Sequence, residues 1–340
     1  MKEASFMKYK RVVISRYGGP EVLQVVEDEI PEPGAGEARV KILAAGVAWG
    51  DILKREGFGI GARPPFTPGY DIVGIVDRLG EGVSTLSVGQ TVAALPLVGG
   101  YAEYMCLPAS NLVPVPSGLD AAEAVCLVMN YVVAHQMLHR AARVKAGERV
   151  LIHSAAGGVG TALLQLGKLA DLEMYGTASS GKHELIADLG GIPIDYRVED
   201  FVERILALTG DGVDAVFDPI GGSHAWRSYR ALRKGGRLVV YGAHTAVKDG
   251  MLKVISGLIL NRAIDLIPDN KRVLNYGITQ PKYSQPDWCR DDLLMSLDLL
   301  AQGKIKPIIA ERIPLVEARR AHELLEGGKA LGKVVLICET

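Results

Sequence analysis

Residues 149–168, RVLIHSAAGGVGTALLQLGK, constrain this chain more than any other stretch. Arg149 to His153 reads as a buried strand, because Val150, Leu151 and Ile152 form an apolar run. Gly157, Gly158 and Gly160 supply a tight turn, and Leu163, Leu164 and Leu166 mark a helix face. Strand, glycine turn and helix in that order form a dinucleotide-binding layout, with a phosphate on the N-terminus of the first crossover helix. The spacing is Ala155-x-Gly157-x-x-Gly160, the usual glycine pattern with its first glycine replaced. Backbone at Ala156, Gly157, Gly158 and Val159 is expected to approach the pyrophosphate, while Gly160 lets the helix pack close to the strand.

Leu172 to Ala178 reads as the second strand. A site selective for a free ribose 2′-hydroxyl usually carries an acid about 20 residues past the glycines. Here that place holds Ala178, Ser179, Ser180, Gly181 and Lys182. No carboxylate is present to repel a phosphate, and Ser179 and Lys182 are suited to bind one, so the expected cofactor is NADPH. The other reading of Ser179 is a cap for the helix that begins near Lys182, and the two roles are compatible. Alternation then continues: strands at Ile192 to Tyr196, Val213 to Asp218 and Arg237 to Tyr241, with helices at Glu199 to Leu208 and Ser223 to Leu232. Arg233 to Gly236 is expected to form a turn. Crossovers of this length imply parallel strands. Tyr241, Gly242 and Ala243 end the fifth strand at the carboxyl edge of the sheet, where ligands bind.

At 340 residues two domains are expected. The first 126 residues differ from the middle, with short valine-rich segments broken by glycine and proline, as in a β-rich, partly open barrel. Ala121 to Ala142 reads as one long helix leading into the nucleotide fold. The division is placed at 1–126 with 280–340 for the β-rich domain and 127–279 for the dinucleotide-binding domain. A formal charge of −1 gives nucleic acid no electrostatic help. No run of 18 apolar residues is free of charges or breakers, so no membrane span is expected. The N-terminal stretch lacks an apolar secretory core, and Cys106, Cys126, Cys289 and Cys338 have neither zinc-finger nor disulfide-framework spacing. A reducing cytoplasm is the expected compartment.

Several motifs together resemble the medium-chain dehydrogenase/reductase superfamily, in its zinc-independent quinone oxidoreductase branch. They are YGGPEVLQ (17–24), AAGVAWGD (44–51), PFTPGYDIVGIV (65–76), GGYAEY (99–104), AAGGVG (155–160), FDPIGG (217–222), KGGRLVVYG (234–242) and GKVVL (332–336). The resemblance covers nearly the whole chain. It implies a GroES-like catalytic domain beside a Rossmann doubly wound parallel sheet, an active site in the cleft between them, and a homodimer. Edge strands near Val273 to Gly277 are the expected dimer contact.

The zinc-dependent branch of that superfamily holds its metal with a cysteine, a histidine and a third cysteine or acid. The first two positions fall at Ala48 and Tyr70, and the structural-zinc cysteines are absent, so no metal is expected at either place. Without a Lewis acid an ordinary ketone is a poor hydride acceptor. A quinone or other conjugated carbonyl spreads the incoming charge, and mainly needs positioning and one donor to the developing oxyanion. The resemblance makes Tyr70 the first candidate donor, the alternative being that its phenol fills the space zinc left. Asp51 is a candidate for orienting ribose or nicotinamide, against the alternative of a cap on a helix from Ile52 to Arg55. Asn130, with Tyr131, is a candidate for contacting nicotinamide or substrate, or else faces the domain interface. Tyr196 falls where the family stacks on or bonds the adenosine phosphate, the alternative being strand-end packing. His153 and His135 read as core or helix-surface histidines. Substrate loops are expected near 52–66, 95–100 and 243–285. The leading expectation is an NADPH-dependent reductase of a quinone or enone-like small molecule; the alternatives are an enoyl or alkenal double-bond reductase and a non-catalytic NADPH-binding protein.

Overall fold

The computed structural model describes residues 7–58, 63–243 and 250–338, and only the backbone of 251–254. Seven strands come first: β1 (Lys8–Ile14), β2 (Leu23–Glu29), β3 (Glu37–Val47), β4 (Ile72–Leu79), β5 (Thr91–Ala94), β6 (Tyr104–Pro108) and β7 (Val113–Pro114). Six follow: β8 (Arg149–Ile152), β9 (Glu173–Ala178), β10 (Gly191–Asp195), β11 (Val213–Asp218), β12 (Leu232–Val240) and β13 (Arg272–Asn275). The chain ends with β14 (Ile309–Pro314) and β15 (Lys333–Ile337). It divides into Met1–Met129 with Leu293–Thr340, and Asn130–Asp292. The expected boundaries at 126/127 and 279/280 differ by three and thirteen residues. The second difference has a local cause: Asp292 accepts from Gln136 Nε2 at 2.9 Å and Arg140 Nη2 at 2.6 Å, which ties the start of its helix to the nucleotide unit.

In the first unit β1 pairs with β2, and a seven-stranded sheet runs β14-β15-β3-β4-β5-β7 with β6 also on β3. The pairing is antiparallel except for β14 on β15. β3 is central, and a register shift between Ile42 and Ala44 lets Val40, Ile42, Ala45 and Val47 join one core with Ile72, Val92, Tyr101 and Leu336. Inside it lies a buried ion pair, Lys333 Nζ to Asp71 Oδ2 at 2.8 Å.

The second unit is a six-stranded parallel sheet in the order β10-β9-β8-β11-β12-β13. The order reverses between β8 and β11, so the carboxyl ends of those two strands flank the switch point where ligands bind in such sheets. Leu151, Val216, Leu238 and Ile194 pack with Phe201, Ile205 and Tyr229 from the covering helices.

Two local expectations change. Residues Arg233 to Gly236 lie within β12 as an irregular excursion: β11 pairs Val213 with Leu232 and then Ala215 with Arg237. The helix over 121–141 is not uniform, because Leu127–Tyr131 and Gln136–Ala141 are π-helical. The Ala142 N–H reaches the Met137 carbonyl, five residues back, at 2.9 Å. This helix is long and apolar enough to cross a membrane, yet 78% of its most apolar window is buried inside the protein.

Removing one partner of a buried ion pair leaves an uncompensated charge, at a cost of about 3–5 kcal/mol. Lys333→Met is therefore expected to lower the unfolding free energy by about that amount, measured by urea titration, while Lys333→Met with Asp71→Leu recovers most of it.

Candidate functional site

In the nucleotide unit the site begins where β8 ends. The His153 N–H extends the sheet by bonding the Phe217 carbonyl at 3.1 Å, and the chain then reverses at Ser154 with φ +54°. Gly157 N bonds Ser154 O at 2.9 Å, and Gly157 caps the helix Gly158–Leu169. The first bond of that helix is Thr161 N to Gly157 O, 2.8 Å, so the preceding N–H groups are left to face an anion. A Cβ at residue 160 would lie 2.4 Å from Ser154 O and 2.6 Å from Ala155 O, so only glycine fits there. Ala156 is buried, and Gly157, Gly158 and Val159 are half-buried. At the switch point, Tyr241 N bonds Asp218 O at 2.9 Å; Tyr241, Gly242 and Ala243 are all half-buried.

The residues expected at the ribose end lie at the carboxyl ends of β9 and β10. Ser179 makes no side-chain capping bond to the short turn Ser180–Lys182, and the following helix starts at His183. The nearby acid, Asp195, is directed inward. Its Oδ2 accepts from Ser180 N at 3.1 Å and its Oδ1 from Arg197 N at 3.0 Å. Tyr196 is 54% exposed, so packing does not account for it. Lys182 is half-buried, and its pKa is lowered first by desolvation and then by Arg197. Two cations thus stand near each other, which a phosphate dianion would relieve. Sequence reasoning missed Arg197, although its signal was present as a basic residue directly after Tyr196.

The other unit holds Asp51 and Tyr70. Asp51 lies in the helix Trp49–Arg55, which starts before the expected Ile52. Its carboxylate is fully buried: Oδ2 accepts from Ala48 N at 3.0 Å, and Oδ1 from Gly69 N at 2.9 Å. Tyr101 Oη also donates to Oδ2 at 3.3 Å. Asp51 thus braces the loop between residues 48 and 69. Burial raises its pKa to about 6, against the lowering effect of Lys54. Behind it, Arg55 Nη1 lies 3.1 Å from His322 Nδ1, and His322 Nε2 lies 3.2 Å from Tyr101 Oη. Because Arg55 can only donate, the neutral histidine carries its proton on Nε2, and Arg55, His322 and Tyr101 donate in one direction toward Asp51, which accepts. Burial pushes His322 down to about 3.

Tyr70 is half-buried, and its ring lies over Gly50, where a Cβ would come within 2.5 Å of Oη. Lys54 Nζ sits 3.8 Å from the ring centroid and donates to Leu97 O at 2.5 Å. Desolvation, with Asp51 adding to it, raises the phenol pKa well above its usual value, so Tyr70 is a neutral O–H at physiological pH. Zinc does not fit this place. Ala48 offers no donor atom, Asp71 is bound to Lys333, and Asp51 is held by backbone N–H groups. Asn130 is buried in the π-helical stretch Leu127–Tyr131 and belongs to the nucleotide unit. Of the expected substrate loops, 59–62 and 244–249 lie outside the described residues.

Residues 34–117 match the alcohol dehydrogenase GroES-like domain family, and residues 191–336 match the zinc-binding dehydrogenase family. The zebrafish (Danio rerio) synaptic vesicle membrane protein VAT-1 homolog is 31% identical over 99% of this chain and 72% of its own length. The chain belongs to the medium-chain dehydrogenase/reductase superfamily, in its zinc-independent quinone oxidoreductase branch. The rat (Rattus norvegicus) quinone oxidoreductase is 29% identical, with 98% of this chain and 99% of that one covered. The crystal structure of Escherichia coli quinone oxidoreductase complexed with NADPH superposes with a TM-score of 0.87 at 28% identity, covering 96% of this chain and 99% of that one. This protein is therefore an oxidoreductase of the medium-chain type that uses a nicotinamide cofactor.

Lys182→Ala is expected to weaken NADPH binding about 10- to 100-fold and to leave NADH binding within about twofold, read by cofactor fluorescence titration. A pH prediction follows from the buried network. The unfolded chain protonates His322 below about 6.5, and the folded chain does so only near 3, so stability falls as pH drops through that window. Asp51 acts oppositely between about 6 and 3.8, where the folded state holds the extra proton. His322→Gln is expected to flatten the acid limb of the stability–pH curve, most clearly below pH 3.8, where Asp51 no longer opposes it.

Proposed function

We propose that this protein is an NADPH-dependent, zinc-independent reductase that transfers hydride to a quinone or another conjugated carbonyl acceptor. The observation that carries the proposal is the pairing of a basic ribose pocket with a former zinc position that has become a neutral phenol. The turn at residues 156–160 holds the pyrophosphate, with the N–H groups at the start of the helix Gly158–Leu169 facing it. Ser179, Lys182, Tyr196 and Arg197 hold the 2′-phosphate, and Asp195 fixes the backbone on both sides of it. A bound nicotinamide supplies the hydride. Tyr70 donates a hydrogen bond to the developing oxyanion. Its raised pKa makes it a poor proton source, so the proton comes from water. Lys54 holds the ring of Tyr70 and keeps the potential around it positive. Asp51 is a positioning residue in this scheme: both its oxygens are turned into the loop it braces. Asn130 is assigned to the nicotinamide end.

The assembly proposed is a cytoplasmic homodimer. β13 ends the parallel sheet, and that edge is available to a second copy. The nearest alternative is reduction of an enoyl or alkenal double bond, which uses the same donor and differs in the acceptor. It is favoured if an enone outperforms every quinone.

The test is NADPH oxidation by chelator-treated protein offered an ortho-quinone, a para-quinone, an enone and a simple ketone. Turnover of a conjugated acceptor and none of the ketone is expected. Tight NADPH binding with no turnover of any acceptor overturns the enzyme reading in favour of a binding protein. Tyr70→Phe is expected to lower kcat about 10- to 100-fold with little change in KM for NADPH, the usual cost of one oxyanion donor being about 10²–10³ at most.

A further inference from the structure

Beneath the dinucleotide turn lies a side-chain cluster that hydride transfer does not use. His153 follows β8, Asp218 ends β11, and His224 and Ser228 lie on the helix His224–Arg230. Ser228 Oγ marks the point where they converge. It is 3.1 Å from His153 Nε2, 2.7 Å from Asp218 Oδ2 and 3.3 Å from His224 Nδ1. His224 Nδ1 is itself 2.9 Å from Asp218 Oδ2. One ring nitrogen from each of His153 and His224 and a carboxylate oxygen of Asp218 all lie within 4.8 Å of one another. This is not a hydrolytic serine site. The carboxylate bonds Ser228 rather than the far nitrogen of His153, and Ser228 is fully buried.

We propose that His153, Asp218 and His224, with the Ser228 hydroxyl or a water as fourth ligand, form a Zn²⁺ site inside the nucleotide unit. Zinc with nitrogen and oxygen ligands forms bonds of about 2.0–2.1 Å, which places tetrahedral ligand atoms about 3.3 Å apart. The His224–Asp218 separation of 2.9 Å is close to that spacing, and all three ligand atoms fall within 4.8 Å of one another. The groups that would orient the ligands are also in place. Thr177 Oγ1 lies 2.9 Å from His153 Nδ1, and Asp218 Oδ1 accepts from Ile220 N at 2.7 Å and Gly221 N at 3.0 Å. Asp218 Oδ2 is left for the metal.

The protons balance without a co-reactant. In the metal-free cluster Ser228 donates to Asp218, so His153 carries its proton on Nε2 and accepts from Thr177 at Nδ1. On binding, His153 moves that proton to Nδ1 and donates to Thr177, whose hydroxyl turns to accept. His224 moves its proton from Nδ1 to Nε2. Its side chain is 19% exposed, which gives the ion an entry path. One neighbouring cation, Arg227, is paired with Asp200 at 3.0 Å. The site would pin the ends of β8 and β11 to the helix that follows. It is in a different unit from Ala48 and Tyr70, the positions that the resemblance aligns with the catalytic zinc ligands of the zinc-dependent branch.

The test uses the full chain, stripped with chelator and free of substrate, titrated with Co²⁺ and then with Zn²⁺. The expected result is one equivalent of Co²⁺ per chain with the visible bands of tetrahedral coordination, displaced by Zn²⁺, and a Tm that rises with Zn²⁺ concentration. His224→Ala is chosen because its side chain is partly exposed and NADPH binding can report its folding; it should lose the bands. His139→Ala, in the separate cluster where the His135 and His139 rings are 4.6 Å apart, should keep them. Absence of stoichiometric binding, or bands that survive His224→Ala, overturns the proposal and leaves the cluster as a hydrogen-bonded brace.

Discussion

The close approach of residue 160 to the carbonyls of Ser154 and Ala155 underlies the nucleotide unit. With no Cβ in the way, the helix Gly158–Leu169 sits against the end of β8, and its first N–H groups come to the carboxyl edge of the sheet. β9 repeats the device from the other side: Gly176 lies against the Ala155 methyl, and Ala155 N bonds Thr177 O at 3.2 Å. The turn is thus held by three elements before any ligand binds. Such preorganisation removes the ordering cost from cofactor binding.

Acids do two different jobs here, separated by where they are buried. Asp195 and Asp51 sit at chain reversals and accept from backbone N–H groups with both oxygens, so they shape loops, whereas Asp218 gives only Oδ1 to its loop. Beside Lys182 and Arg197, the Asp195 carboxylate is spent in shaping its loop. The former zinc position is apolar and phenolic for a related reason. Asp51 and Asp71, which a metal would recruit, are committed to Ala48, Gly69 and Lys333. An unsatisfied buried carboxylate would cost several kcal/mol, so these partners are part of the fold.

Much of this was readable in the chain. The glycine spacing, the apolar runs and the missing acid near residue 178 are local signals, and each maps onto one turn or strand. The parallel pairing followed from alternation and the length of the crossovers. The π-helical turns did not show, because their five-residue bonding is imposed by packing rather than by residue type. Nor did the excursion at Arg233 to Gly236, where glycines that signal a turn are absorbed into a strand. Asp51 was visible as polar, but its direction was not: a carboxylate near a helix start looks the same whether it faces a ligand or its own loop.

The sequence by itself determined the superfamily, the parallel sheet, the glycine turn after β8 and the basic residues that follow β9 and β10, because these depend on residues close together in the chain. Only the tertiary structure decided the rest. It brought Arg55, His322, Tyr101 and Asp51 into one directional chain, with Arg55 and His322 267 positions apart. It also gathered His153, Thr177, Asp218, His224 and Ser228 from three strand ends and a helix. Such clusters arise where β8, β9 and β11 end side by side, and no local pattern encodes which distant side chains will share that space.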